Sequence, residues 1–331
     1  MSLDPANPDL AARVRAVFRQ GRLLALPTET VYGLAAPIDR PELVERIFEL
    51  KGRPADNPLI VHVGTMEQAR RCVSVWPALA ETLAQRFWPG PLTLVLPRSE
   101  LISDRITAGR ATVAVRMPDH PAALAVLRAL DVPLVAPSAN LFTRLSPTRP
   151  EDVRAVFSAE QVELIDGGAC RVGIESTIVG INAERRRLVW LRPGMIDRAL
   201  LESMLPPAWR MVNADAALSP DAGAQAPGRM KEHYRPARPL TVALYADEAE
   251  RRRHEQAVQA EPGAVCIELP TAAAPAAAAL YQTLRSAEAG AETSIVLLLP
   301  AGVLDRVDWE GVCNRLRKAA VRWLAPGQGF G

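Results

Sequence analysis

The chain has 331 residues, 49% of them hydrophobic and 23% charged, with a formal net charge of +2. That length suits two domains better than one, and the balance of charge argues against nucleic-acid binding driven by electrostatics alone. Four scattered cysteines without a C-x-x-C pair and four histidines without H-x₃-H spacing speak against structural zinc.

The start, Met1–Asp9, is polar and holds two prolines, unlike a signal or transit peptide. No apolar run approaches membrane-spanning length. A soluble, cytoplasmic protein with free thiols is the expectation.

In chain order, Leu10–Gln20 reads as an amphipathic helix closed by Gly21, and Leu23–Leu26 as a strand. A second helix starts at Pro41, with Leu43, Val44, Ile47, Phe48 and Leu50 at helical spacing, and is broken by Gly52 and Pro54. Leu59-Ile60-Val61 then forms a buried strand ending in His62. Met66–Arg71, Ala78–Phe87, Pro121–Leu130, Glu151–Phe157 and Ile196–Leu205 read as helices. Leu92–Leu96, Thr112–Arg116, Val132–Ala136, Val162–Ile165, Ser176–Ile181 and Leu188–Arg192 read as strands. This irregular alternation predicts an α/β domain over residues 1–205 with a twisted mixed sheet. Residues 206–238, rich in Pro, Ala, Asp and Gly, form a linker or lid. From 239 to 331 a β-α-β-α-β-α order predicts a small Rossmann-like domain with a parallel sheet.

There is no P-loop, no strand followed by G-x-G-x-x-G, no G-x-S-x-G elbow and no H-E-x-x-H. What stands out is Lys51-Gly52-Arg53-Pro54-Ala55-Asp56-Asn57-Pro58, a helix end carrying two cations and an amide before a strand that ends in His62. Such a turn suits a phosphate or carboxylate, although a lone K-x-R turn is also an ordinary solvated loop. Pro137–Asn140 equally suits a crevice loop and a helix N-cap, and the two readings are compatible. Arg185–Arg187 reads as a solvated hairpin turn.

Taken with Leu26-Pro27-Thr28-Glu29-Thr30-Val31-Tyr32-Gly33-Leu34, Val113–Pro118, Ala136-Pro137-Ser138-Ala139-Asn140, Ser146-Pro147-Thr148 and Glu175–Val179, the turn completes an ordered set. This set resembles the threonylcarbamoyl-AMP synthase family in its long form, a YrdC-like N-terminal domain plus a C-terminal domain. The resemblance is close over about residues 10–240 and looser beyond. It implies a nucleotidyltransferase that joins L-threonine, bicarbonate or CO₂, and ATP into threonylcarbamoyl-AMP and pyrophosphate. The product would go to a separate tRNA threonylcarbamoyltransferase, with Mg²⁺ accompanying the ATP and direct RNA binding weak or absent. Other readings of the same fold are a carbamoyl-transfer module and a double-stranded-RNA-binding protein.

Carried over by position, the resemblance places Thr30, His62, Arg116, the Ala136 backbone and Ser176 around threonine, with Arg116 on its carboxylate. It places Lys51, Arg53, Asn57, Thr112, Ser138, Asn140, Ser146, Arg192, His233 and Tyr234 around ATP. Lys51, Arg53 and His62 stand nearest the chemistry. Glu29 and Glu175 are the acids within the matched motifs, and metal ligands stay open. Two departures from the family pattern are the glycine-free stretch Leu141-Phe142-Thr143-Arg144-Leu145 and Ala226 in place of a serine. The stretch Ala226–Pro236, with its His-Tyr pair, reads as a lid over the N-terminal crevice or, alternatively, as an exposed tether.

Overall fold

The computed structural model describes residues 9–214 and 233–330. These divide into two units, the first of 9–142, 147–171 and 175–214, the second of 143–146, 172–174 and 233–330. The lid stretch at 226–232 lies outside the described residues.

Strands of the first unit are β1 (Leu23–Leu26), β2 (Gly33–Pro37), β3 (Ile60–His62), β4 (Leu92–Pro97), β5 (Thr112–Arg116), β6 (Leu134–Val135), β7 (Val162–Leu164), β8 (Thr177–Asn182), β9 (Arg187–Arg192) and β10 (Arg210–Asn213). They form one mixed sheet in the order β10-β9-β8-β4-β5-β3-β6-β2-β1-β7. The mixed character expected from the sequence is therefore present: β3 runs parallel to β5 but antiparallel to β6. Strand β10 pairs in parallel with β9 and carries this sheet beyond residue 205, where the sequence reading had ended the domain.

Alternation along the strands gives the sheet two different faces. Val61, Val113, Val115, Leu92, Leu94 and Leu96 point into the main core, which also takes Leu43, Val44, Ile47 and Phe48 from the helix Pro41–Lys51. Ile60, Val95, Ala114, Ile178 and Leu191 form a smaller apolar patch on the opposite face. His62 and Arg116 lie on that second face, because Ile60 pairs with Ala114 and His62 with Arg116 in register.

The helix Pro41–Lys51 begins on proline and stops where Gly52 adopts φ of 60°. That left-handed turn costs glycine nothing and returns the chain toward the sheet.

The second unit contains β11 (Leu240–Tyr245), β12 (Ala264–Glu268), β13 (Ser294–Pro300) and β14 (Arg322–Leu324), all parallel, in the order β12-β13-β11-β14. The helices Glu248–Ala260, Ala273–Glu288 and Glu310–Ala319 connect them, as the β-α pattern predicts. Its interior holds Leu297, Leu299, Tyr281, Trp309 and a fully buried Arg315.

Gly173 belongs to this unit and has φ of 78°, and a Cβ there would sit 2.4 Å from the Ala277 carbonyl oxygen. Gly173→Ala is therefore expected to lower stability by about 2–4 kcal/mol, combining left-handed strain with overpacking. Urea unfolding of the variant checks this, and an unchanged midpoint contradicts it.

Among the described residues, no helix is long and apolar enough to cross a membrane. All four cysteines are free. Burial pushes the Cys72 and Cys170 thiols up to about 12, which leaves them unreactive near neutral pH.

Candidate active site

Lys51 ends its helix with a side chain only 2% exposed, and its ammonium donates to the carbonyls of Ser138 (2.5 Å) and Asn140. The backbone carbonyl of Lys51 in turn accepts from the Phe142 amide at 2.8 Å. The helix end thereby fixes the Pro137–Phe142 loop at both ends. Burial first, and the nearby Arg53 charge second, hold the Lys51 pKa well below its ordinary value.

Arg53 organises the turn that follows. Its Nε donates to the Asn57 carbonyl at 3.1 Å, and its Nη2 donates to Asn57 Oδ1 and the Pro58 carbonyl, both at 2.7 Å. With Oδ1 committed to Arg53, the buried Asn57 Nδ2 is left as a donor without a hydrogen bond. An unpaired buried amide is costly, and a ligand acceptor would satisfy it.

His62 is 3% exposed, and its Nδ1 lies 3.3 Å from the Ile60 carbonyl. That carbonyl can only accept, so Nδ1 carries the proton and Nε2 presents a lone pair. Burial, then the Arg116 charge, lower the ring's pKa to about 3, so it stays neutral and works as a hydrogen-bond acceptor. A histidine held neutral binds fewer protons folded than unfolded. Stability should thus fall as pH drops from about 6.5 toward 3, by at most about 1.4 kcal/mol per pH unit. The His62→Gln variant is expected to lose less stability than the parent between pH 7 and pH 5 in urea titrations. An identical loss in both proteins contradicts the assignment.

Arg116, 4% exposed, donates through Nε to the Gly90 carbonyl at 3.2 Å. Its Nη2 stands 2.7 Å from Oε1 of the fully buried Glu29. Thr112 lies on the same face of β5 four residues away, about 13 Å along the strand.

Thr30 is completely buried beside this pair, and its Oγ1 is 2.8 Å from Thr28 Oγ1. Thr28 gives its own hydroxyl proton to the Val31 carbonyl at 2.6 Å. Thr30 is therefore the donor in the hydroxyl pair and keeps lone pairs to offer.

Ser176 Oγ lies 2.7 Å from Thr93 Oγ1 and accepts from Arg192 Nη2 at 3.1 Å, while Arg192 Nε donates to the Ser176 carbonyl at 3.1 Å. The Ala136 amide donates to the Ile60 carbonyl, and Gly33 packs so closely on Ala136 that a Cβ would meet its Cβ at 3.0 Å. An isolated bridge then joins Gly33 to Ser138.

Thr30, Lys51, Arg53, Asn57, His62, Thr112, Arg116, Ala136, Ser138, Asn140, Ser176 and Arg192 all belong to the first unit, where Lys51 meets Ser138 and Asn140, Arg53 meets Asn57, His62 pairs with Arg116, and Arg192 meets Ser176. Ser146, His233 and Tyr234 belong to the second. There the Tyr234 ring is 1% exposed, with His233 at 4.1 Å, Tyr281 at 5.9 Å and the Arg315 guanidinium at 5.6 Å. These neighbours enclose the Tyr234 ring within its unit. Sequence reasoning missed Thr93, the Gly90 carbonyl and the Glu29–Arg116 pair. Thr93 carried a faint signal as a polar position on an otherwise apolar strand.

Residues 16–194 match the family described as "Telomere recombination", which groups Sua5, YciO and YrdC, and residues 195–321 match "Threonylcarbamoyl-AMP synthase, C-terminal domain". The chain is 38% identical to the threonylcarbamoyl-AMP synthase of Pyrococcus abyssi over 329 residues, covering 93% of both. It is 41% identical to that of Bacillus subtilis over 238 residues, 71% of this chain and 67% of the relative. The crystal structure of P. abyssi Sua5 complexed with L-threonine superposes with a TM-score of 0.83 at 36% identity, covering 95% of each chain. A P. abyssi Sua5 variant with neighbouring His and Tyr replaced by Ala superposes with a TM-score of 0.84 at 35% identity, over 99% of this chain and 100% of that one. Both domains and nearly the whole length agree: the chain belongs to the threonylcarbamoyl-AMP synthase family, ATP-using nucleotidyltransferases that make threonylcarbamoyl-AMP for tRNA threonylcarbamoyladenosine.

Proposed function

We propose that this chain makes threonylcarbamoyl-AMP through a carbamate of threonine. The threonine amine takes up CO₂ (bicarbonate losing water), a carbamate oxygen attacks the α-phosphorus of ATP, and pyrophosphate leaves. No covalent side-chain nucleophile is needed, so the protein's task is placement and charge neutralisation. The observation that carries this reading is the paired face of β3 and β5. It sets a neutral acceptor, His62, beside a buried guanidinium, Arg116, at one end and Thr112 at the other.

In this reading Arg116 takes the threonine carboxylate, Thr30 and Ser176 bond its polar groups, and Ala136 offers backbone. His62 Nε2 accepts a hydrogen bond from threonine; a ring with a pKa near 3 is too weak a base to remove the amine proton. The nucleotide lies toward Arg53, Asn57, Thr112, Ser138, Asn140 and Arg192, with Lys51 holding the loop that carries Ser138. Ser146, His233 and Tyr234, which the resemblance also assigns to ATP, belong to the second unit.

Among the described residues, no three His, Cys, Asp or Glu side chains gather to hold a metal, and Glu29 is held by Arg116. Mg²⁺ would then arrive with ATP, held by phosphate oxygens and water, and would neutralise phosphate charge. The product passes to a tRNA threonylcarbamoyltransferase in the cytoplasm, and the near-zero net charge supports weak or absent direct RNA binding.

Pyrophosphate release with different amino acids tests the pocket. Threonine should exceed serine modestly, since one methyl is worth about 1–3 kcal/mol. Valine should be rejected more strongly, because it leaves buried polar groups unpaired. Equal release with valine and threonine overturns the assignment.

A further inference from the structure

Glu29 is fully buried, and neither carboxylate oxygen makes a hydrogen bond. A carboxylate out of water with no hydrogen bonds is among the most costly arrangements a protein can hold. Its compensation is Arg116, 2.7 Å away and itself 4% exposed. That contact is an ion pair without hydrogen-bond alignment, since Arg116 Nη2 likewise makes no hydrogen bond. The attraction draws the Nη2 edge of the guanidinium toward Glu29 while leaving its N–H groups uncommitted. The second constraint on Arg116 is the bond from Nε to the Gly90 carbonyl. Held by its Nε and Nη2 sides, the guanidinium has Nη1 to offer, together with whatever Nη2 proton faces away from Glu29.

We propose that Glu29 is a positioning residue for threonine recognition, the buried counter-charge that holds Arg116 in the orientation in which its remaining N–H groups meet the substrate carboxylate. This rests on the reading of Arg116 as the carboxylate clamp. Glu29 also balances the clamp's charge while the pocket is empty, so an isolated guanidinium need not stay desolvated between turnovers. A metal-ligand role for Glu29 is at odds with this placement, because its charge is already met by Arg116 and none of its surface reaches solvent.

The test compares Glu29→Gln, Glu29→Asp and Arg116→Lys for threonine KM, ATP KM, kcat and thermal midpoint in the full-length protein. Glu29→Gln keeps the shape and removes the charge, so Arg116 should lose its orientation. Threonine KM is expected to rise by about tenfold or more, with kcat and ATP KM within about threefold. Glu29→Asp keeps the charge and should recover part of the threonine affinity, and if the Gln variant does not fold, the Asp variant should show the same split at smaller size. If Arg116→Lys raises threonine KM while Glu29→Gln leaves it unchanged, the inference is wrong. Equal losses for both substrates, with Asp no better than Gln, show a general structural role and also overturn it. An unchanged threonine KM in Arg116→Lys removes the reading of the clamp itself.

Discussion

Arg116→Lys is expected to weaken threonine binding by about 1.5–3 kcal/mol, roughly 10- to 150-fold, with ATP affinity nearly unchanged. The guanidinium reaches the Gly90 carbonyl with Nε and Glu29 with Nη2. A planar fork can do this and still present N–H groups to a carboxylate. An ammonium at the end of a flexible stem is a point charge that must choose among these partners. Inside the pocket it would be drawn to Glu29, the nearest buried negative charge. Calorimetric titration of threonine, with and without a non-hydrolysable ATP analogue, separates the two affinities. A fall in ATP affinity with threonine binding intact would mean that the threonine and nucleotide ends have been exchanged.

Lys51→Met is expected to produce the second large effect, and its main signature should be loss of stability. Removing the ammonium takes a charged donor from the half-buried Ser138 carbonyl and the buried Asn140 carbonyl, each lost bond costing about 1–3 kcal/mol. Relief of the desolvated charge next to Arg53 offsets part of this, so a net loss of about 2–4 kcal/mol is expected. The Pro137–Phe142 loop should loosen, and ATP KM should rise because Ser138 and Asn140 lose their fixed positions. Urea unfolding together with ATP kinetics reads both effects. Normal stability with a collapsed kcat would make Lys51 a direct phosphate contact, the role suggested by its place in the cationic turn.

These two residues also show how far sequence could lead. Helix spacing from Leu43 to Leu50 and the breakers Gly52 and Pro54 located the end of the helix, because local pattern and backbone chemistry determine both. The β-α order of residues 240–320 foretold a parallel sheet for the same reason. Strand β2, Gly-Leu-Ala-Ala-Pro, has no β-branched residue, and tertiary pairing with β1 and β6 makes it a strand. Strand β10 is four residues beside an apparent linker, and it exists because β9 offers an edge.

For the candidate site, the motifs named side chains but left their partners hidden. Lys51 and the Ser138 carbonyl are 87 residues apart, and Arg192 and Ser176 are 16 apart. Such partners are set by where strands meet. A cationic turn can be read as an anion site from composition. That Lys51 spends its protons on a loop, and that Arg53 folds its own turn around itself, follows only from geometry. Likewise, a depressed His62 pKa depends on burial beside Arg116, which no local pattern announces.

The central claim is that the threonine amine and bicarbonate carbon form a carbamate whose oxygen bonds to the α-phosphorus of ATP as pyrophosphate leaves. The most direct measurement incubates the full-length protein with ATP, Mg²⁺, threonine and ¹³C-bicarbonate, then follows products by mass spectrometry beside a pyrophosphate assay. One labelled threonylcarbamoyl-AMP is expected per pyrophosphate released, and neither product when threonine or bicarbonate is left out. Pyrophosphate formed without threonine, or ADP and phosphate in place of an adenylate, would contradict it.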